Sequence, residues 1–431
     1  MIILNFMARK LQYISAPHPL VAIDLGSHSI RSMAADFTPD GLLYVRGVEI
    51  SKKKIDIERG VIMQTSSTSY HINENMKFLG NRIQRPQLNN AFVPVGGRSM
   101  KVVEVASRRD QGNKREVSAQ LLEEMKVECK QKIEARNQQV AVLDLIPYAY
   151  VLDGIAQNYS PSPEQRATKI EAKYAAFVGK KELEQKVDDS FIRTPILPEQ
   201  KYARPDVLFC ALASEEDLEQ GCAILDMGAQ TTTLTVFKDG KYVYNRVLSQ
   251  GGYDITRDIE QWGMPFAYAE RLKGMYGSVC AEEVVDGRCF RVPSNSTAEG
   301  VVLLRAGDLQ STIKARLEQI VTPLMNDLRQ YESEIGVLYI TGGASLLNGM
   351  EQYVQSMTTV PVTYGSHAHW LTEDVDEEYL KPTYSSLVGT LILAAFYREE
   401  HPYADPVGGL KKRFEEVAKD AQTTLIGIFS E

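Results

Sequence analysis

A chain of 431 residues is too long for one ordinary core, so several domains are expected. The net charge of -8 argues against a nucleic-acid footprint, and 44% hydrophobic with 24% charged residues is an ordinary globular balance. Five cysteines without a CxxC pair argue against a disulfide or metal framework and point to a reducing compartment.

The opening MIILNFMARK puts apolar residues before basic ones, the reverse of a secretory signal, and leaves Met1 and Met7 as alternative starts. HPLVAIDLGSHSIRSMAADFTPDGLLYVRGVEISKKK then alternates as three strands broken at Gly26 and Gly41, its SKKK run reading as a solvated strand end. SSTSYHINENMKFLGNRI reads as a helix. From Ala91 to about Thr194 the pattern shifts to a strand, a charged helix, two strands around Pro147, then a further strand and helix, a small α+β unit of its own. Residues 221–260 return to the opening style, and helices are predicted over 256–276 and 308–331. EIGVLYITGGASLLNGMEQYVQSM reads as strand, Gly-Gly turn and helix. HAH at 367–369 lacks a carboxylate or cysteine cluster and is expected as surface histidines. The apolar run Leu387–Tyr397 is about half a membrane span in length and is expected as a core helix. A linker, HPYADPVGG, precedes the last helix.

A repeat organises these elements. VAIDLGSHSIRS at 21–32 and AILDMGAQTTTLT at 223–235 share an apolar run, Asp, one residue, Gly, then hydroxyl residues. Tight Gly turns leave backbone N–H groups pointing outward, a nest suited to phosphate oxygens. Gly26, Ser27 and Ser29, with Gly228, Thr231 and Thr232, are therefore the candidate phosphate-binding residues. Carboxylates repel phosphate, so Asp24 and Asp226 imply a hydrated Mg²⁺ between them and the ligand. Gly342 and Gly343 of TGGAS allow a base or ribose close to the main chain.

With these motifs the chain resembles the actin-like ATPases, and within them the bacterial FtsA cell-division family, over nearly all of residues 19–431. AIDLGSHSIRS, AILDMGAQTTTLTVFKDG and GVLYITGGASLLNGM are similar to that family's two phosphate motifs and its adenosine motif. VAVLDLIPYAYVLDG resembles its insertion subdomain, which the pilus-assembly protein PilM shares. The resemblance implies a two-lobed actin-like α/β fold (ribonuclease-H-like, duplicated) with an α+β insertion subdomain and a C-terminal amphipathic helix. It divides the chain into a first lobe (19–90 and 196–220), the insertion (91–195), a second lobe (221–255 and 333–400) carrying a subdomain at 256–332, a linker (401–409) and a tail (410–431). It implies ATP and Mg²⁺ as cofactors, with Glu270 and Lys273 near the ribose. It also implies filament formation and attachment of FtsZ, through its C-terminal peptide at 256–332, to the cytoplasmic face of the membrane at the division site. A PilM-like pilus scaffold and an actin-fold small-molecule kinase are the alternatives.

The sequence departs from that family's pattern in informative places. Ala229, Gln230 and Thr233 replace glycines and an acidic residue of the second motif, and Ser29 stands where a Lys is common. Cys210 and Ala211 stand where relatives carry Glu-Pro near the attacking water; a thiol is a poor group for orienting water, so hydrolysis is expected to be slow or absent. In the tail, Leu410, Phe414, Val417, Leu425 and Ile428, with Phe429 alongside, recur at helical spacing and are the candidate membrane-binding residues. Four basic and four acidic residues in 410–431 cancel, so attraction to anionic lipid is expected to be weak.

Overall fold

A computed structural model describes residues 19–52, 55–85, 88–157, 160–162, 164–280, 288–293 and 300–400. The candidate tail residues Leu410, Phe414, Val417, Leu425, Ile428 and Phe429 lie outside the described residues.

The chain begins as an antiparallel meander of β1 (Leu20–Leu25), β2 (Ile30–Phe37) and β3 (Leu43–Ser51), then a small hairpin, β4 (Ile57–Glu58) and β5 (Val61–Ile62). Helix α1 (Thr65–Arg82) crosses over to β6 (Asn90–Val95), which lies parallel to β1. The chain then leaves this sheet for β7 (Lys101–Glu116), α2 (Ala119–Arg136), β8 (Val140–Leu152), β9 (Ile155–Gln157) and β10 (Arg166–Lys180). These strands make a separate sheet in the order β7-β10-β8-β9. Helix α3 (Lys181–Ile192) leads back to β11 (Leu197–Ala203), which pairs parallel with β6 and closes the first sheet as β11-β6-β1-β2-β3.

Helices α4 (Arg204–Leu212) and α5 (Glu215–Gln220) connect to a second meander, β12 (Cys222–Met227), β13 (Thr232–Lys238) and β14 (Lys241–Leu248). There follow α6 (Gly252–Glu260), α7 (Phe266–Tyr276), the hairpin β15 (Cys289–Pro293) and β16 (Val301–Arg305), and α8 (Ala306–Leu328). β17 (Val337–Thr341) runs parallel to β12; α9 (Met350–Gln355) and β18 (Val362–Tyr364) complete the second sheet. Its order, β14-β13-β12-β17-β18, repeats that of the first sheet. Two copies of one topology stand behind the repeated Asp-x-Gly motif.

Period-two alternation explains how the first sheet is covered on both faces. Val21 and Ile23 of β1 belong to a core with Ile72, Met76 and Leu79 of α1. Leu20 and Ala22, pointing the other way, pack with Leu387, Val388 and Leu391 of α10 (Ser385–Glu400). That helix thus returns from the second sheet to cover the first, and it is the core helix the apolar run predicts. A third core fills the second lobe, and a fourth seals the insertion sheet against Met125 and Cys129 of α2.

The structure corrects three local expectations. Residues around Pro147 form one strand, β8, with its register against β10 shifted beside Pro147. The predicted helix over 256–276 is two helices, because Gly263 takes a φ of 89° and Pro265 immediately precedes the second. Of the two histidines in HAH, His367 is buried: its Nδ1 lies 3.0 Å from Ser385 Oγ and its Nε2 2.8 Å from the Tyr379 carbonyl.

Candidate functional site

The two copies face one another across a cleft of about 440 Å³, within the roughly 300–1,000 Å³ usual for small-ligand sites. Its floor is made by the two motif turns, which share one geometry. After β1, Gly26 N donates to Ser29 O at 3.1 Å; after β12, Gly228 N donates to Thr231 O at 2.8 Å. A side chain on Gly26 would meet Ser29 O at 2.9 Å, too close to fit without a backbone shift, and one on Gly228 would meet Thr231 O at a tight 3.1 Å. The ladders also correspond, with Asp24 opposite Arg31 in one and Asp226 opposite Thr233 in the other.

Of the candidate phosphate residues, Gly26, Ser27, Ser29, Gly228 and Thr231 line the cleft. Thr232 does not. It is fully buried and its hydroxyl donates to the Gln250 carbonyl at 2.9 Å, whereas Thr233 reaches the cleft. This follows from strand alternation, since Thr232 opens β13 facing inward and its neighbours face out.

Gly342, Gly343, Glu270 and Lys273 also line the cleft, on the side of the second sheet. Gly342 has a φ of 88°, and a side chain there would sit 2.6 Å from both Asp226 Oδ1 and the Met227 carbonyl. The Gly342–Gly343 turn is therefore packed directly on the end of β12, just before the Gly228 turn. Lys273 Nζ donates to the Gly252 carbonyl, Thr256 Oγ1 and Glu270 Oε2, each at 2.8 Å, while burial lowers its pKa. Thr256 Oγ1 in turn donates to Glu270 Oε2, so that acid is fixed in place.

Arg204 also lines the cleft, and nothing in the motifs announced it. Its Nη1 donates to Asp24 Oδ2 at 3.3 Å and to Ser386 Oγ at 3.2 Å, and its Nη2 donates to Asp24 Oδ1. Burial opposes its charge, but Asp24 outweighs that and raises its pKa. The other motif acid, Asp226, is pushed up to about 6, by burial first, with Arg204 opposing and Asp24 reinforcing. The pairing joins residues 180 apart, beyond the reach of any local motif.

This arrangement does not fit the Mg²⁺ expected between Asp24 and Asp226. Both oxygens of Asp24 are taken by one guanidinium, and Asp226 is wedged against Gly342. Cys210, which the resemblance places near the attacking water, does not line the cleft. It is buried with Leu20 and Ala22 in the core beneath α10, and burial raises its thiol pKa well above the ordinary value.

Two polar bridges cross from the motif turns to the opposite half, one from each turn. His28 Nδ1 lies 2.8 Å from Tyr253 Oη, and Arg59 N donates to Gln230 Oε1 at 2.9 Å. Burial lowers the pKa of His28, consistent with a neutral ring in that bridge.

A family model described as "Cell division protein FtsA" matches residues 223–389, which hold all of β12 but its first residue, the turn at Gly228 and the Gly342 turn. The FtsA of Pseudomonas aeruginosa is 25% identical over 394 residues, covering 86% of this chain and 88% of its own. The FtsA of Bacillus subtilis is 23% identical over 337 residues, covering 76% and 73%. Among solved structures, a PilM–PilN type IV pilus biogenesis complex aligns with a TM-score of 0.62 at 14% identity, covering 87% of this chain and 98% of that one. MreB5 of Spiroplasma citri bound to ADP aligns with a TM-score of 0.51 at 12% identity, covering 90% and 99%. The chain has an actin-like fold and is similar in sequence to the bacterial FtsA proteins.

Proposed function

We propose that this chain is an actin-like cell-division protein whose cleft binds an adenine nucleotide, with the phosphates between the two Gly turns and the nucleoside beside Gly342, Gly343, Glu270 and Lys273. The observation that carries this reading is the matched pair of turns, each with its inward Asp, facing across one cleft. Nucleotide binding acts as a switch, because a ligand held by both turns favours the closed arrangement of the lobes. Hydrolysis is slow: Asp24 is paired to Arg204, and Cys210 lies outside the cleft.

The cellular role we assign is to hold FtsZ filaments, through their C-terminal peptide at the subdomain spanning 256–332, on the cytoplasmic face of the membrane at the division site. Self-association into filaments multiplies a weak attachment made by the amphipathic tail, because each added tail binds intramolecularly. Support comes from the FtsA relatives and from the helical spacing of Leu410, Phe414, Val417 and Leu425. No helix among the described residues is long and apolar enough to cross a membrane.

Calorimetry tests the nucleotide reading. ATP binds with a Kd near the micromolar range, about -8 kcal/mol, and Gly228→Val, which fills the turn, abolishes the heat while the protein stays folded. An unaffected variant would place the nucleotide elsewhere. Liposome flotation tests the anchor. Binding rises with protein concentration, changes little with salt, and is lost on deleting residues 410–431; flotation of the deleted protein would remove the tail from the account.

A further inference from the structure

The same floor that rejects a divalent cation already holds a cation of its own. Arg204 is the first residue of α4 and is fixed from three directions: by Asp24 at the end of β1, by Ser386 at the start of α10, and by its own helix. Its side chain is 22% exposed, and Arg204 lines the same cleft as the two Gly turns. A second guanidinium, Arg31, stands opposite Asp24 in the ladder and lines the same cleft. Its Nη1 donates to the Thr383 carbonyl at 2.7 Å, and its charge lies over the Tyr384 ring at 5.4 Å, with no carboxylate partner among the described residues. Its Nε is buried without a hydrogen-bond partner.

Asp24, Asp226 and Glu270 supply three negative charges to the cleft wall, and Arg31, Arg204 and Lys273 supply three positive ones. Lys273 is held by Glu270, Thr256 and the Gly252 carbonyl, and the two arginines are the other cations that line the cleft. Guanidinium suits a polyphosphate ligand, because it stays charged, is weakly hydrated, and presents several donors in a planar fork that matches phosphate oxygens.

We propose that Arg204, assisted by Arg31, is the phosphate-neutralising cation of this cleft, so that nucleotide polyphosphate binds without a divalent metal ion. This rests on the nucleotide reading given above and goes beyond it in naming the counter-charge. Arg204 keeps one edge on Asp24 and offers charge to the ligand, and the ion pair positions the guanidinium much as two acids would position a hydrated metal.

The test is calorimetric binding of ATP in excess MgCl₂ and in excess EDTA, with circular dichroism melting to verify folding. Wild-type affinity changes by less than about threefold between the two conditions, well under the roughly tenfold that one charge-assisted contact contributes. Arg204→Gln loses about tenfold or more in EDTA and regains part of it in Mg²⁺, because Asp24 is then free to order metal-bound water. Should Arg204→Gln unfold through the unpaired Asp24, the double variant Asp24→Asn with Arg204→Gln removes both charges and must lose the EDTA binding. Arg204→Lys keeps the charge without the fork and falls between.

Wild-type binding that requires Mg²⁺ overturns the inference while leaving the clamp intact. Metal-independent binding that survives in the glutamine variants also overturns it, since the cation would then be another group. No binding in either condition removes the clamp and the inference together.

Discussion

Asp206 shows how a single residue ties pH to stability. It follows Arg204 and Pro205 in α4, buried, with Oδ1 accepting from Tyr242 Oη at 2.6 Å. Burial, then the neighbouring Asp144, pushes its carboxyl up from 3.8 to about 7, against the pull of the tyrosine hydrogen bond. Asp144 is raised as well, again mainly by burial, while it accepts from the Ala203 and Leu145 backbone N–H groups. The folded state therefore holds a proton that the unfolded chain has already lost. Stability contributed by this site is full below the unfolded value and declines as pH rises toward the folded one. Asp206→Asn keeps an acceptor for Tyr242 without the charge. Urea unfolding at about pH 8 then shows a gain of about 1–2 kcal/mol that shrinks toward about pH 4; a gain independent of pH would show that ionisation of Asp206 is not involved.

Much of the site at this scale was legible because its residues are local. Gly26, Gly228, Gly342 and the two acids sit in contiguous motifs whose turns leave little room at the glycines. Thr232 was misjudged by one strand position, and a one-residue shift reverses the face of a strand. Arg204, Arg31, His28 and Tyr253 escaped because each draws its meaning from a partner far away in sequence.

Elements carry these residues to each other through close crossings. Helix α10 passes α4 so tightly that a side chain on Gly389 would lie 1.9 Å from the Val207 carbonyl. One turn earlier on the same helix, Ser386 Oγ accepts from Arg204. Gly389→Ala forces the helices apart and destabilises the fold by about 1–3 kcal/mol. It also loosens the Arg204 anchor, so nucleotide affinity falls with it. A thermal melt and a binding isotherm on the same sample check both effects; an unchanged melt would contradict the crossing. The apolar run Leu387–Tyr397 predicts the helix but not its partner, since no local pattern says that it returns to the first sheet. The helix break at Gly263 and Pro265 was readable from residue type, yet the surrounding helical spacing hid it. Pro147 misled in the opposite sense, because a register shift in β8 accommodates it without ending the strand.

Duplication dominates the whole molecule. Two sheets of the same order bring two matching turns face to face, and the sequence repeat made that architecture readable before any contact was known. The bridges His28–Tyr253 and Arg59–Gln230 join the halves across the opening. Tyr253→Phe removes one bridge and leaves each core untouched. Small-angle scattering of the ligand-free variant then reports a larger radius of gyration than wild type, while the melting temperature shifts by no more than a few degrees, the scale of about 1 kcal/mol. Identical scattering curves would show that the hydroxyl does not hold the lobes.

The central claim is that the paired turns form one nucleotide clamp. A crystal structure of the protein with a non-hydrolysable ATP analogue tests it most directly. The account predicts polyphosphate between the Gly26–Ser29 and Gly228–Thr231 turns, within contact of Arg204, with the nucleoside against Gly342 and Gly343. An analogue seated outside this cleft, or absent from it at saturating concentration, would contradict the account.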